Sequence, residues 1–295
     1  MQNNNTILFV INPISGGKVK TDWEQGIKDS FANLPQAIEF YIQTGQGDKV
    51  MIEKQIANLK PDKVVAVGGD GTVKLVAGII KETTIKLGII PAGSANGLAK
   101  ELGIPEDLQT AIKIVLEGEC RKLDAIRINE EELCFHLSDV GLNALLVKYF
   151  EASDTRGMWG YARSLFKMIW NKRQMRVTIE ADGEIIKRKA FMVALANAEK
   201  YGTGAVINPG GSVFDGVFEI VVVRKIKLKE VIKAVMAHRS FNSQNIEVIK
   251  AKSVNINFQQ KAPFQIDGEY MGKTANISAR ILPGILWVML PKEVK

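Results

Sequence analysis

Residues 64–73 read V-V-A-V-G-G-D-G-T-V, and the reading of this stretch decides the fold. Four consecutive apolar residues without polar alternation are the pattern of a parallel strand buried on both faces. Gly68-Gly69-Asp70-Gly71-Thr72 breaks that run at once, and Val73, Val76, Ala77 and Ile80 then recur at helical spacing. A glycine loop therefore lies between the carboxyl end of a strand and the N-terminus of a helix, where unpaired N–H groups and the helix dipole favour an anion. Lacking Cβ atoms, Gly68, Gly69 and Gly71 let those N–H groups approach a phosphate closely. Asp70 would repel such a ligand unless a cation such as Mg²⁺ stands between them or it hydrogen-bonds a neighbour that does. Thr72 adds a hydroxyl. A plain strand-to-helix turn capped by Asp70 gives the same local pattern.

The flanking sequence repeats the theme. An apolar run at residues 7–11 ends in Asn12-Pro13-Ile14-Ser15-Gly16-Gly17-Lys18, which departs from a Walker loop because Val19 stands where Ser or Thr is required. Trp23, Ile27, Phe31 and Leu34 mark a helix, residues 38–42 a strand and 50–59 another helix, with Thr44-Gly45-Gln46-Gly47-Asp48 between the last two. Residues 87–90 form a further strand, followed by Pro91-Ala92-Gly93-Ser94-Ala95-Asn96-Gly97. Strands alternating with helices predict a doubly wound parallel sheet whose ligand crevice lies outside the carboxyl ends of the strands. All four polar turns fall at that edge, so a nucleotide site is a better reading than any one loop supports.

From Arg121 the pattern changes. Residues 123–128, 133–137, 176–180, 191–196, 217–223, 254–258, 275–281 and 286–290 read as strands joined mostly by turns, which predicts a β-rich second domain. Residues 204–215, containing Pro209-Gly210-Gly211, form a long irregular segment of the kind that often carries function. Leu228, Val231, Ile232, Val235 and Met236 have the spacing of a core-facing helix. Residues 158–170 read as a helix whose apolar arc of about 200° exceeds what a core needs. Its Trp159 and Trp170, bordered by Arg163, Lys167, Lys172 and Arg173, suit either a membrane interface or a wholly buried helix edge.

The chain has 295 residues, 46% hydrophobic and 24% charged, which is the composition of a globular protein with room for two domains. A formal charge of +7 implies attraction to something acidic, whether nucleotide, nucleic acid or an anionic membrane surface. Lys187-Arg188-Lys189 and Arg224-Lys225 read as solvated faces and lack the aromatic interleaving of single-strand nucleic-acid binders, so nucleic acid is not expected. The N-terminal residues do not have the pattern of a signal peptide and no segment is long enough to span a bilayer, so a cytoplasmic location is expected. Cys120 and Cys134 are expected to be reduced, and His136 and His238 lack partners at zinc-ligand spacing. No internal repeat is evident. Oligomeric state is not legible, and a homodimer is left open.

With these elements assembled, the chain resembles the diacylglycerol kinase and sphingosine kinase type of lipid kinase, in its soluble bacterial form. The resemblance runs over nearly the whole length. It rests on N-P-x-S-G at Asn12, Ser15 and Gly16, on Thr44, on G-G-D-G-T from Gly68 to Thr72, and on P-x-G-[ST]-x-N with Gly93, Ser94 and Asn96. It continues through the glycine-rich loop leading into Asp215-Gly216-Val217-Phe218 and ends with Asp267-Gly268-Glu269. Family membership implies an α/β nucleotide domain related to NAD kinase and phosphofructokinase at residues 1–122, completed by about 284–295. It implies a β-sandwich lipid domain at 123–283, with an active site in the cleft between the two. It also implies ATP and Mg²⁺ as cofactors, a lipid substrate, and peripheral attachment to the anionic inner membrane surface.

Carried over residue by residue, the resemblance makes Glu269 the candidate base for the acceptor hydroxyl and ties Asp70 to Mg²⁺ directly or through water. Asp215 and the carbonyl of Val217 match a position that binds a second, structural Mg²⁺. Two residues depart from the pattern. Gly97 stands where bacterial members usually have Asp, and Lys74 where Asn often follows G-G-D-G-T-x, which brings the loop closer to the sphingosine and ceramide kinase branch. An NAD kinase, sharing the glycine loop, and a regulator that binds nucleotide or lipid without turnover are the alternatives.

Overall fold

A computed structural model describes residues 5–17, 23–151, 173–199, 206–225 and 245–292. The helices expected over 158–170 and 228–236, together with Lys18 and His238, lie outside the described residues. The chain divides into two compact units, one of Met1–Leu123 with Gly284–Lys295 and one of Asp124–Pro283.

The first unit runs β1 (Thr6–Ile11), α1 (Trp23–Phe31), β2 (Ala37–Ile42), α2 (Asp48–Leu59), β3 (Lys63–Gly68), α3 (Asp70–Ile80), β4 (Lys86–Pro91), α4 (Gly97–Glu101) and α5 (Leu108–Glu117). Its strands lie in the order β2-β1-β3-β4 and are parallel throughout, with Trp287 and Val288 adding a parallel strand beside β4. In β1, β3 and β4 every residue after the first is buried, because helices cover both faces: α1 packs with α5 and α2 with α3. Phe9 fixes one side, with its ring 5.6 Å from both Phe31 of α1 and Phe40 of the edge strand β2. Leu34 does not belong to α1, which ends at Phe31, and its side chain is exposed. It precedes Pro35, and the residue before a proline is pushed out of the helical region.

The second unit contains β5 (Glu119–Ile128), β6 (Glu132–Cys134), β7 (Leu137–Gly141), α6 (Leu142–Glu151), β8 (Met175–Ala181), β9 (Glu184–Ala190), β10 (Met192–Ala196), β11 (Phe218–Val223), β12 (Ile246–Ala251), β13 (Ser253–Ile266) and β14 (Glu269–Leu290). β5 begins, and β14 ends, in the first unit. The antiparallel order is β12-β11-β10-β7-β13-β14, and β13 also pairs with β8, which pairs with β9. β13 serves both layers: residues 254–258 pair with β8 and 264–266 with β7, on either side of a register break between Asn257 and Ala262. Such an irregularity lets one strand bend from one layer of a sandwich to the other.

Val177, Ile179, Val193, Leu195, Ile220 and Ile256 fill the space between the layers. The intervening residues of β10 and β11 bury a second cluster against Leu142 and Leu146 of α6. Two-sided burial is why β10 is an unbroken apolar run and β11 is apolar apart from the buried Glu219, which accepts the Asn208 amide at 2.6 Å.

Three expectations change here. Residues 133–137 are not one strand but the end of β6 and the start of β7, because the intervening N–H groups turn to the Asp267 carboxylate. Residues 275–281 and 286–290 belong to one strand, β14. Pro283 and Gly284 fall between its register with β13, which ends at Arg280, and its register with β4, which begins at Trp287, in a strand that β5 also pairs. Finally, α6, β9 and β12 were not anticipated.

Candidate active-site residues

In the first unit the turns after β1, β3 and β4 converge. Asn12 N–H donates to Val67 O at 2.9 Å and Ala92 N–H to Gly68 O at 2.8 Å, which locks the strand ends side by side. Glycine is required at the contact. A Cβ on Gly93 would lie 2.5 Å from Gly69 Cα, and one on Gly69 would lie 3.2 Å from Gly93 Cα and 3.7 Å from Ser15 Oγ. Gly16 has φ of +73° and its Cβ would meet Ala92 O at 2.8 Å. Gly71 and Ser94 are exposed at the same turns.

Asp70 does not point its charge at these glycines. Its carboxylate accepts the N–H of Gly97 at 3.0 Å and of Leu98 at 3.2 Å, joining the start of α3 to the start of α4. Asn96, buried and left-handed at φ 53°, closes the neighbouring loop. Its Oδ1 accepts Gly93 N–H at 2.9 Å, and its amide donates to Gly93 O and Glu106 Oε1, both at 3.0 Å. Thr72 is buried, with its hydroxyl donating to Gln43 Oε1 at 3.1 Å, and it lies so close to Gly68 that a Cβ there would overlap it. The Asn12 side chain accepts Ile14 N–H at 3.1 Å and so shapes its own turn. Asn12, Thr72 and Asn96 thus build the loops.

Thr44 belongs to a turn organised by Asp48, a residue to which sequence reasoning gave no role. One Asp48 oxygen accepts from the Tyr41 hydroxyl at 2.8 Å and from the Thr44 N–H at 2.9 Å, and the other from Gly45 N–H at 2.9 Å. Burial opposes its ionisation, but these donors outweigh it and hold the carboxyl below its ordinary pKa. The visible signal was an Asp four residues after a Thr in a Gly-rich turn that opens a helix.

The residues match the groups implied by resemblance. A loop lined by backbone and glycine, with its one carboxylate turned aside to N–H groups, suits a polyphosphate. Mg²⁺ is usually held by one or two carboxylates together with substrate phosphates, and Asp70 is a carboxylate at the loop that could serve as one. Among the described residues no group of three His, Cys, Asp or Glu is arranged as a protein-only metal cage.

In the second unit the Asp267-Gly268-Glu269 turn is built on a buried polar layer. The Asp267 carboxylate accepts the N–H groups of Phe135 at 3.0 Å, His136 at 3.0 Å and Leu137 at 3.1 Å, and the Cys134 thiol at 3.2 Å. Cys134 is therefore a polar partner as well as a small buried side chain. Gln265 Oε1 accepts Gly268 N–H at 2.8 Å, and its amide donates to Asp139, whose other oxygen accepts Ala144 N–H at 2.8 Å near the start of α6. Glu269 itself is exposed at the first position of β14.

Asp215 is exposed, and its Oδ1 accepts Val217 N–H at 3.3 Å. Beside it the buried Asp124 accepts Gly216 N–H at 2.7 Å, so two carboxylates engage one turn. Asp124, like Gln265 and Asp139, was missed, since a lone polar residue in an apolar strand carries no sequence-level signal of what it will face.

Among the described residues no helix is long and apolar enough to cross a membrane. A parallel α/β unit with converging glycine turns, joined in sequence to an antiparallel sandwich, defines a kinase fold of the diacylglycerol kinase and NAD kinase type. The family model for the diacylglycerol kinase catalytic domain matches residues 6–128, and that for the YegS C-terminal NAD kinase β-sandwich-like domain matches 139–290. The chain belongs to this diacylglycerol kinase-like family of lipid kinases, which transfer phosphate to an alcohol.

It is 29% identical to a diacylglycerol kinase of Bacillus subtilis (strain 168), covering 97% of this chain and 96% of that one. Against a diacylglycerol kinase of Staphylococcus aureus (strain bovine RF122 / ET3-1) the identity is 28%, covering 90% and 86%. The fold is similar to a crystal structure of a diacylglycerol kinase from Bacillus anthracis str. Sterne, with a TM-score of 0.74 at 21% identity over 99% and 98% of the two chains. It is also similar to an NAD kinase from Archaeoglobus fulgidus in complex with ATP, with a TM-score of 0.57 at 14% identity over 97% and 94%.

Proposed function

We propose that this protein is an ATP-dependent lipid kinase that moves the γ-phosphoryl group of ATP to a hydroxyl of a diacylglycerol-like or sphingoid-like lipid at the cytoplasmic membrane surface. The observation that carries the reading is the meeting of Gly16, Gly69 and Gly93 at backbone distance, with the Asp70 carboxylate turned to the N–H groups of Gly97 and Leu98.

Phosphoryl transfer asks a protein mainly for positioning and charge stabilisation. In this reading Ser15, Gly16, Gly68, Gly69, Gly71, Gly93 and Ser94 hold the phosphates through backbone and hydroxyl groups. Asn12, Thr44, Thr72 and Asn96 keep their loops in shape. Bound Mg²⁺ supplies neutralisation of the phosphate charge, and Asp70 is the side chain that holds it. Glu269 accepts the proton of the acceptor hydroxyl, on a turn kept rigid by Asp267 and Gln265. Asp215 and the Val217 carbonyl, beside Asp124, offer the oxygen donors that suit a second Mg²⁺.

The test is purified protein with Mg²⁺ and ATP against a panel of diacylglycerol, sphingoid and related lipids, with NAD as a control acceptor. Phosphorylated lipid, abolished by Asp70→Ala and Glu269→Gln, is the expected result. NADP formation without lipid product, or tight ATP and lipid binding without turnover, would replace this reading.

A further inference from the structure

The two basic stretches that read as separate solvated faces come together in the second unit. Lys187, Arg188 and Lys189 of β9 and Arg224 and Lys225 after β11 line one open cavity of about 950 Å³, with Arg176 of β8. Among the described residues of its lining six are cations and none is an acid.

The arrangement holds like charges together at a cost. Arg176 and Lys189 are directly opposite one another in the β8–β9 register, and like charges so placed across antiparallel strands destabilise the pair. Glu247 relieves only part of this, since both its oxygens are taken by Arg188 at 2.7 Å. Among the described lining residues the one aromatic, Phe258, is buried, so they offer no ring on which bases could stack. Cations spread over two strands and a strand end meet several phosphates at once on a bilayer, whereas one free ion would engage only a part of them.

We propose that this groove is a second anion site, separate from the phosphate loops of the first unit, which takes the phosphodiester headgroups of anionic phospholipids and seats the second unit on a membrane surface. The proposal deepens the reading of the protein as a kinase of membrane lipids and rests on it for the choice of lipid over other anions.

The test is sedimentation of the full chain with phosphatidylcholine vesicles and with vesicles containing about one third phosphatidylglycerol. The protein is expected to bind the anionic vesicles at least about tenfold more tightly, with the difference shrinking as salt rises. Arg176→Gln combined with Lys189→Gln is expected to weaken that binding about tenfold without lowering thermal stability, because it removes a repulsion. Glu247→Gln, which frees Arg188, is expected to strengthen it. Unchanged vesicle binding in these variants would overturn the proposal, as would displacement by inorganic phosphate or a single-stranded oligonucleotide beyond that caused by sodium chloride of equal ionic strength.

Turnover of a short-chain, water-soluble lipid separates the two readings. Wild-type turnover in the double variant with lost vesicle binding supports the groove. No turnover in the wild-type protein with intact, variant-sensitive vesicle binding rejects the kinase reading and leaves the groove in place.

Discussion

The backbone N–H of Gly97 donates to the Asp70 carboxylate at 3.0 Å, so the acidic residue of the glycine loop is anchored to the turn that follows β4. This bond, with its partner from Leu98, fixes the carboxylate against the start of α4. It also gives Gly97 a role in which only its backbone is used.

Replacing Asp70 separates that structural role from the chemical one. Asp70→Ala removes two charge-assisted hydrogen bonds and is expected to cost about 1–3 kcal/mol in urea unfolding. Asp70→Asn keeps one carbonyl acceptor and costs less. If Asp70 holds Mg²⁺ as proposed, both are expected to lower lipid phosphorylation at least about a hundredfold, because neither retains the negative charge. Activity that followed stability, with Asp70→Asn close to wild type, would make Asp70 a purely structural residue.

Gly93→Ala tests the cradle. Its Cβ would meet the Gly69 backbone at 2.5 Å, so the two loops must part. Overpacking of this kind costs about 1–3 kcal/mol. The rise in Tm on adding Mg²⁺ and ATP is expected to shrink markedly in this variant. An undiminished rise would mean that the phosphates lie elsewhere.

Asp48 sets an acid limit on the turn that carries Thr44. Its folded-state pKa is depressed, because the N–H groups of Thr44 and Gly45 and the Tyr41 hydroxyl outweigh the cost of burial. The stability it confers is therefore complete above the unfolded value of about 4 and is lost as pH falls through the lower folded value. Urea midpoints measured from pH 6 downward should fall more steeply below about pH 4 for the wild-type protein than for Asp48→Asn. Parallel curves would show that Asp48 contributes nothing to acid stability.

Asp267 holds the turn that carries Glu269, the proposed base. Asp267→Asn turns a donor amide toward three backbone donors and is expected to lower kcat nearly as much as Glu269→Gln, with KM for ATP unchanged, because the phosphate loops belong to the other unit. Wild-type kcat in Asp267→Asn would show that the turn does not need its carboxylate.

The parts of this architecture that could be read from sequence are those where one residue type does one job. Residues 64–67 had to be buried on both faces because no polar residue interrupts them, and β3 spans them with every residue after Lys63 buried. The glycines of the three turns announce close backbone approach, and Gly69 and Gly93 do meet. β9 stayed hidden because its outward residues are Lys187 and Lys189, whose charge looks like a loop until the strand beside it is known. β14 looked like two strands because Pro283-Gly284 normally ends one, yet the strand runs through it as its partner changes from β13 to β4. Asp124, Asp139 and Gln265 were illegible as structural supports because their partners are brought to them by folding, whereas Asp48 takes its N–H groups from its own turn.

The central claim is tested most directly by the transfer of radiolabelled γ-phosphate from ATP, in the presence of Mg²⁺, to the lipid panel by the wild-type protein. The account predicts a labelled phospholipid product whose formation is lost on chelation of Mg²⁺ and in Asp70→Ala. No labelled lipid from any member of the panel, with ATP binding intact, would contradict it.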